Sequence, residues 1–233
     1  MKVFTKPLQG LRVNPYRVFG VVGAKPLHGA EPHKGKKVVG KAFFSKERFM
    51  IIAITGTPGT GKTSVCKALG LEFMDLNSII EEKGFYSGID NKRACFIADL
   101  DKLEEYVRRV YKEEEKKGGY LLLIESHLAH FLNPDVVIVL RANPLLLAER
   151  LKQRGFSVPK IRENVEAEML DIILAEAVQR CKVVYEVDTS GKRIEEVASM
   201  VRAIIDAETS GDSRRKETLR NMHKPGSVDW CCH

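Results

Sequence analysis

The sequence predicts a three-layer α/β fold, a doubly wound parallel sheet covered by helices on both faces. Apolar runs of strand length recur along the chain, among them "MIIAIT", "YLLLI" and "DVVIVL". Segments with helical spacing of apolar residues separate them, and one glycine-rich turn, "GTPGTGKT", joins the first run to a helix. Strands buried on both faces lose the apolar–polar alternation, and helices between them supply the crossovers that parallel pairing needs.

Taken in order, "MIIAIT" reads as a buried strand, followed by a helix over about 62–69. "LEFMDL" is a candidate second strand, and "NSIIEEKG" a short helix ending at Gly84. In "DLDKLEEYVRRVYKEEEKKGG" the residues Leu100, Leu103, Val107 and Val110 fall on one side of a helix that glycines close. "YLLLIE" and "DVVIVLR" are strands, and "NPLLLAERLKQR" opens with an Asn cap and a Pro in the first turn. After an interruption at "GFSVP", one long helix is expected from about Arg162 to Arg180, with Val165, Met169, Ile172, Ile173 and Glu176 on one side. "KVVYEVDTS" is the last strand and "GKRIEEVASMVRAIIDA" the last helix. The folded domain is thus expected over residues 50–207, with 208–233, polar and aperiodic, as a mobile tail.

The 233 residues are 44% apolar and 30% charged, as in soluble globular proteins. The surplus of Lys and Arg over Asp and Glu, 38 against 31, lies in the first 49 residues, where eleven basic residues face Glu31 and Glu47 alone. The remainder is slightly acidic, 27 against 29, so attraction to nucleic acid belongs to the N-terminal segment. Rich in Gly, Pro and Lys, that segment reads as flexible chain. Met50 stands directly before the first strand, so residues 1–49 are either upstream of the true start or a basic arm for RNA. The five cysteines include no C-x-x-C pair, which fits buried thiols in a reducing compartment, cytoplasmic or, in a eukaryote, nuclear. The terminal "CCH" offers metal ligands or unstructured chain. No apolar run approaches the roughly 20 residues that span a bilayer, and the start lacks the apolar core of a secretory signal, so no membrane partner is expected.

"GTPGTGKT", Gly56 to Thr63, fits G-x-x-x-x-G-K-[ST] in full, with an apolar strand before it and a helix after it. Glycines let successive amides converge on phosphate oxygens, and the helix N-terminus adds positive partial charge. Lys62 would reach the terminal phosphates of a nucleoside triphosphate, and Thr63 would offer its hydroxyl to Mg²⁺. Such a site also needs a carboxylate at a neighbouring strand end, and Glu125 in "YLLLIESHLAH" stands there. His127 follows two residues later and could orient a water or a phosphate. Bland roles exist for both: a glutamate there can simply cap the next helix, and a histidine simply fill a loop, the role expected of His130. Arg150 and Arg154 lie one helical turn apart. The break that follows, with Lys160 and Arg162 beyond it, suits either a flap closing on phosphates or a solvated loop.

Together, "GTPGTGKT", "ESH" and "RGFSVPKIRENVEAEM" resemble the archaeal and eukaryotic adenylate kinase isoenzyme 6 family, from Met50 to about Ala207. The resemblance implies a P-loop nucleotide kinase fold with a lid near 153–163 and a monophosphate-binding arm near 75–98. It implies transfer from ATP to AMP with Mg²⁺, some ATP hydrolysis, a part in small ribosomal subunit maturation, and docking to a small-subunit ribosomal protein. Carried over by position, Gly59, Gly61, Lys62, Thr63 and Ser64 would hold the ATP phosphates, and Arg154 and Lys192 would contact the adenosine or phosphate side. Glu125 and His127 would form the family's acidic-x-His pair; the acid is often Asp in relatives, and Glu reaches one methylene further. In the arm, Lys83, Tyr86, Lys92 and Arg93 are the phosphate partners on offer, while Glu81 and Glu82 occupy places where some relatives carry arginine.

Overall fold

The computed structural model of the protein describes residues 4–7, 49–90 and 95–230. The elements in chain order are β1 (Phe4–Pro7), β2 (Met50–Thr55), α1 (Lys62–Leu69), β3 (Met74–Asp75), α2 (Leu76–Lys83), β4 (Tyr86–Asp90), β5 (Cys95–Ala98) and α3 (Leu100–Lys116). There follow β6 (Leu121–Glu125), a 3₁₀ turn (Ala129–Phe131), β7 (Val136–Arg141), α4 (Pro144–Gln153), α5 (Val158–Met169), α6 (Ile172–Arg180), β8 (Val184–Asp188), α7 (Ile194–Thr209) and α8 (Ser213–Met222).

Five strands form one parallel sheet in the order β3-β6-β2-β7-β8. Side chains alternate across it. Ile52, Ile54, Leu123, Ile138, Leu140, Tyr185 and Val187 pack with Val65 and Leu69 of α1 and Val201, Ile204 and Ile205 of α7. Ala53, Ile124, Val137 and Val139 face the other way, onto α2, α3 and α6. Both faces are thus covered, which is why these strands read as unbroken apolar runs. The chain lays β3 and β6 on one side of β2 and then β7 and β8 on the other, so the strand order reverses at β2. Ligands of open α/β sheets bind at such a reversal, beyond the carboxyl ends of the strands.

Several expected elements take a different form. The strand expected at "LEFMDL" shrinks to two residues, because Asp75, paired with Glu125 as the last residue of β3, also caps α2, accepting the N–H groups of Asn77 (3.0 Å) and Ser78 (3.2 Å). Within residues 75–98, where the arm is expected, β4 and β5 pair antiparallel, and the backbone of β1 pairs antiparallel with β5. The rest of the N-terminal segment, residues 91–94 with Lys92 and Arg93, and the final "CCH" lie outside the described residues.

The single long helix expected over 162–180 is two. It starts earlier, at Val158, and breaks at Asp171, which adopts a left-handed conformation (φ 53°). Arg141, at the end of β7, sets the break: its guanidinium donates to the Glu168 carbonyl (3.1 Å) and to the Asp171 carboxylate.

The expected mobile tail is instead a docked segment. α7 runs two residues past Ala207, and α8 folds back on it, with Arg220 paired to the buried Glu208 (2.9 and 3.0 Å). Beyond α8, the amides of Ser227 (2.8 Å) and Val228 (3.2 Å) donate to Glu186 Oε2. Glu186 is buried on β8 and gives its other oxygen to Arg141, so its second oxygen needs donors that the sheet does not supply. Among the described residues no helix is long and apolar enough to cross a membrane.

Candidate active site

The turn from β2 into α1 is shaped by glycines that no other residue could replace cheaply. Gly59 sits at φ 100°, and a Cβ there would lie 2.7 Å from Leu147 Cδ1 and 3.1 Å from Leu151 Cδ2. Gly61, the N-cap of α1, has open space around it but a φ of 99°, so its constraint is backbone conformation alone. No side chain caps α1, which leaves its first amides facing the cleft for an anion.

Lys62 is buried, and its Nζ donates to the carbonyls of Gly56 (2.8 Å) and Thr57 (3.1 Å). Burial pulls its pKa below the usual lysine value; the carboxylates of Glu125 and Glu168 oppose that, and Arg154 adds to it. On the next residue, Thr63 Oγ1 donates to Glu125 Oε2 at 2.9 Å. Parallel pairing of β2 with β6 sets Ile54 opposite Glu125, which brings that carboxylate to the cradle. A hydroxyl and a carboxylate side by side are hard oxygen donors of the kind Mg²⁺ takes, with water completing the shell. They fit the ion, directly or through water.

The nine residues assigned to the phosphate cradle, its strand-end acid and histidine and the adenosine side line one cleft of about 700 Å³: Gly59, Gly61, Lys62, Thr63, Ser64, Glu125, His127, Arg154 and Lys192. Lys192 stands at its rim, paired with Asp188 (2.9 Å). Arg154 is the C-cap of α4, its guanidinium 5.8 Å from the Phe156 ring centroid. Arg150, also in the cleft, reaches the hydroxyl and carbonyl oxygens of Thr189 (both 3.4 Å). Gly155 (φ 76°) separates α4 from α5, and Phe156 and Ile161 pack back onto Leu147 and Leu151, so the interruption carries a small apolar core of its own. Lys160 lines the cleft and pairs with Glu163 (2.9 Å). Arg162 does not; it pairs on the surface with Glu166 (2.7 Å). Lys83 and Tyr86 of the arm also stand away from the cleft.

Three side chains were not legible as site residues. Asn77, on the first turn of α2, lines the cleft and accepts from Ser126 Oγ (3.1 Å). Glu168 accepts from the Thr57 hydroxyl inside the cradle. The only hint was four-residue spacing with Asn164, two polar groups on one helical face; both are buried. His130, expected in a loop, is buried in the 3₁₀ turn between Thr55 Oγ1 (3.3 Å) and Glu176 Oε2 (3.2 Å). Burial lowers its pKa to about 3, with His127 and Arg180 adding to the effect, so at neutral pH the contact with Glu176 is a hydrogen bond and not an ion pair. Among the described residues no cluster of three or more His, Cys, Asp or Glu stands ready for a metal.

Sheet order, strand-end position and glycine-rich turn define the class: an α/β P-loop protein of the nucleotide-binding kind. A family model described as "AAA domain" matches residues 52–171. Proteins named "Putative adenylate kinase" from Methanosarcina acetivorans and Thermococcus kodakarensis are each 44% identical, over 78% of this chain and 97% and 93% of their own lengths. The chain belongs to this AAA-domain family, in the group that these archaeal proteins form. Among solved structures, shikimate kinase from Acinetobacter baumannii in complex with shikimate is 17% identical, over 72% of this chain and 97% of that one, with a TM-score of 0.48.

Proposed function

We propose that this chain is a nucleoside monophosphate kinase that transfers the γ-phosphate of ATP to AMP, giving two ADP. The observation that carries this is the meeting of Lys62, Thr63 and Glu125 in one cleft, which continues past the cradle to Asn77, His127 and Phe131, with room for an acceptor. The relatives' name points the same way. A phosphate acceptor is already ionised at neutral pH, so transfer needs alignment and charge compensation more than a general base. Lys62 and Arg154 would offset charge on the transferring group, Ser64 and the amides of Gly59 and Gly61 would hold the phosphates, and Lys192 the adenosine side. Mg²⁺, held at Thr63 and Glu125, would screen the phosphate oxygens. Residues 153–163 would serve as the lid and 75–98 as the arm for the monophosphate.

With the acceptor absent, His127 would orient a water and leave a slow ATPase. The basic segment 1–49 favours a second reading, in which the isoenzyme 6 resemblance holds in full. Hydrolysis would then switch the grip of an assembly factor on a small-subunit ribosomal protein or rRNA.

A panel of nucleoside monophosphates tested with radiolabelled ATP separates these. Label should pass to AMP ahead of the others, and a folded Lys62→Ala protein should lose ATP binding. Label passing only to a hydroxyl metabolite would overturn the reading, as would undiminished ATP binding by Lys62→Ala. Hydrolysis that a ribosomal protein accelerates and AMP barely affects would favour the switch, and replacing His127 should then lower it.

A further inference from the structure

Thr57, the second residue of the cradle, is almost fully buried, and its hydroxyl donates to Glu168 Oε2. Glu168 is buried equally deeply, near the end of α5. Its other oxygen accepts Arg141 Nε–H (2.8 Å) and the Ala142 amide (3.1 Å). The Thr57 carbonyl, on the far side of the same residue, accepts Lys62 Nζ (3.1 Å) and Thr60 Oγ1 (2.9 Å). A continuous path therefore runs from the helix that follows the Arg154–Ser157 turn, through Glu168 and Thr57, to the lysine of the cradle.

We propose that Glu168 is a positioning residue of the phosphate cradle, fixing Thr57 and through it the carbonyls that aim Lys62. Replacing a buried ion pair with apolar side chains is often neutral for stability, so the Glu168 carboxylate is better explained by what it aims than by what it stabilises. Both of its oxygens are occupied by donors from two other segments, the β2–α1 turn and the end of β7. This geometry holds the C-terminal end of α5 against the cradle, so that any motion of the turn at 154–157 takes place N-terminal to a fixed point. The same contact makes the phosphate amides rigid before the ligand arrives, and preorganisation of that kind shows in affinity for the triphosphate.

The proposal rests on the reading that the cleft binds ATP. Its test is calorimetric titration of ATP into wild-type, Thr57→Val, Thr57→Ser, Glu168→Gln and the Thr57→Val/Glu168→Gln double variant, with kcat and both KM values measured alongside. Thr57→Val changes no charge and should weaken ATP binding about tenfold, the order of one charge-assisted hydrogen bond. Thr57→Ser keeps the donor and should stay within about twofold, since the hydrogen bond is retained. The double variant should bind no more weakly than Glu168→Gln alone, and KM for the monophosphate should not move. ATP binding by Thr57→Val equal to wild type would overturn the proposal, as would a Thr57→Val loss just as large in the Glu168→Gln background. If Glu168→Gln fails to fold, the Thr57→Val and Thr57→Ser pair decides alone. A wild-type protein that binds ATP yet phosphorylates no monophosphate would sink the proposed function and leave this test intact.

Discussion

At the scale of single residues, burial lowers the pKa of two basic side chains beside the cleft, and their charged neighbours differ. Lys62 is desolvated but faces the carboxylates of Glu125 and Glu168, which favour its charged form. His130 is desolvated beside His127 and Arg180, and its pKa falls to about 3. Between that value and the ordinary histidine value the unfolded chain binds more protons than the fold does, so His130 lends stability at neutral pH that is lost as pH falls through this window. The slope is at most about 1.4 kcal/mol per pH unit. Glu176, raised by its own burial, opposes part of this at the acid end. Stability of His130→Gln, followed by urea denaturation from pH 6.5 to 4, should therefore vary less steeply with pH than that of the wild type; an unchanged slope would refute the assignment. At this scale the cradle was legible, because spacing along the chain is all that Lys62, Thr63 and their glycines require. Glu168 was not, because the donor that gives it meaning lies 111 residues away.

Elements show the same division between local and distant causes. Gly59 is required by a turn whose φ and neighbours both exclude a side chain. Gly59→Ala should lower stability by about 2 kcal/mol and weaken ATP binding further, because a φ of 100° is strained for any residue with a Cβ and the methyls of Leu147 and Leu151 must also give way. Thermal melting and nucleotide titration would check both, and a protein as stable as wild type would argue against the geometry. The Asn cap and Pro of α4 were readable because capping is a local signal, and Asn143 Oδ1 does accept the Leu145 amide (3.0 Å). The break between α5 and α6 was not. Nothing in "EMLDII" forbids a continuing helix; the cause is Arg141, which claims the carbonyl at 168 and the carboxylate at 171.

For the molecule as a whole, Arg141 joins segments that are far apart in the chain. Glu168 and Asp171 approach it from the helical layer, Glu186 (2.5 Å) from β8, and the ring of Trp230 stands 5.7 Å from its guanidinium carbon. The segment after Ser210 therefore completes the fold. Deleting residues 211–233 would strip Glu186 of its amide donors and Glu208 of Arg220, at a cost of about 3 kcal/mol. Trp230 is the single tryptophan, so its fluorescence reports on this segment directly. During urea unfolding the tryptophan signal and the far-ultraviolet dichroism should change together; an earlier fluorescence transition would show that the segment is held only loosely.

What the sequence determined by itself was whatever depends on neighbours in the chain: the succession of apolar strands and amphipathic helices, the glycine turn, and the acidic residue at a strand end. Tertiary structure alone decided which carboxylates are buried, where the second long helix divides, and that the polar C-terminal segment docks. The burial of Glu168 and Glu186 and the break at Asp171 follow from one guanidinium held in the interior, and Arg220 on Glu208 adds to the docking of the last segment. An acidic side chain has no preference for such a place until the fold brings the cation to it.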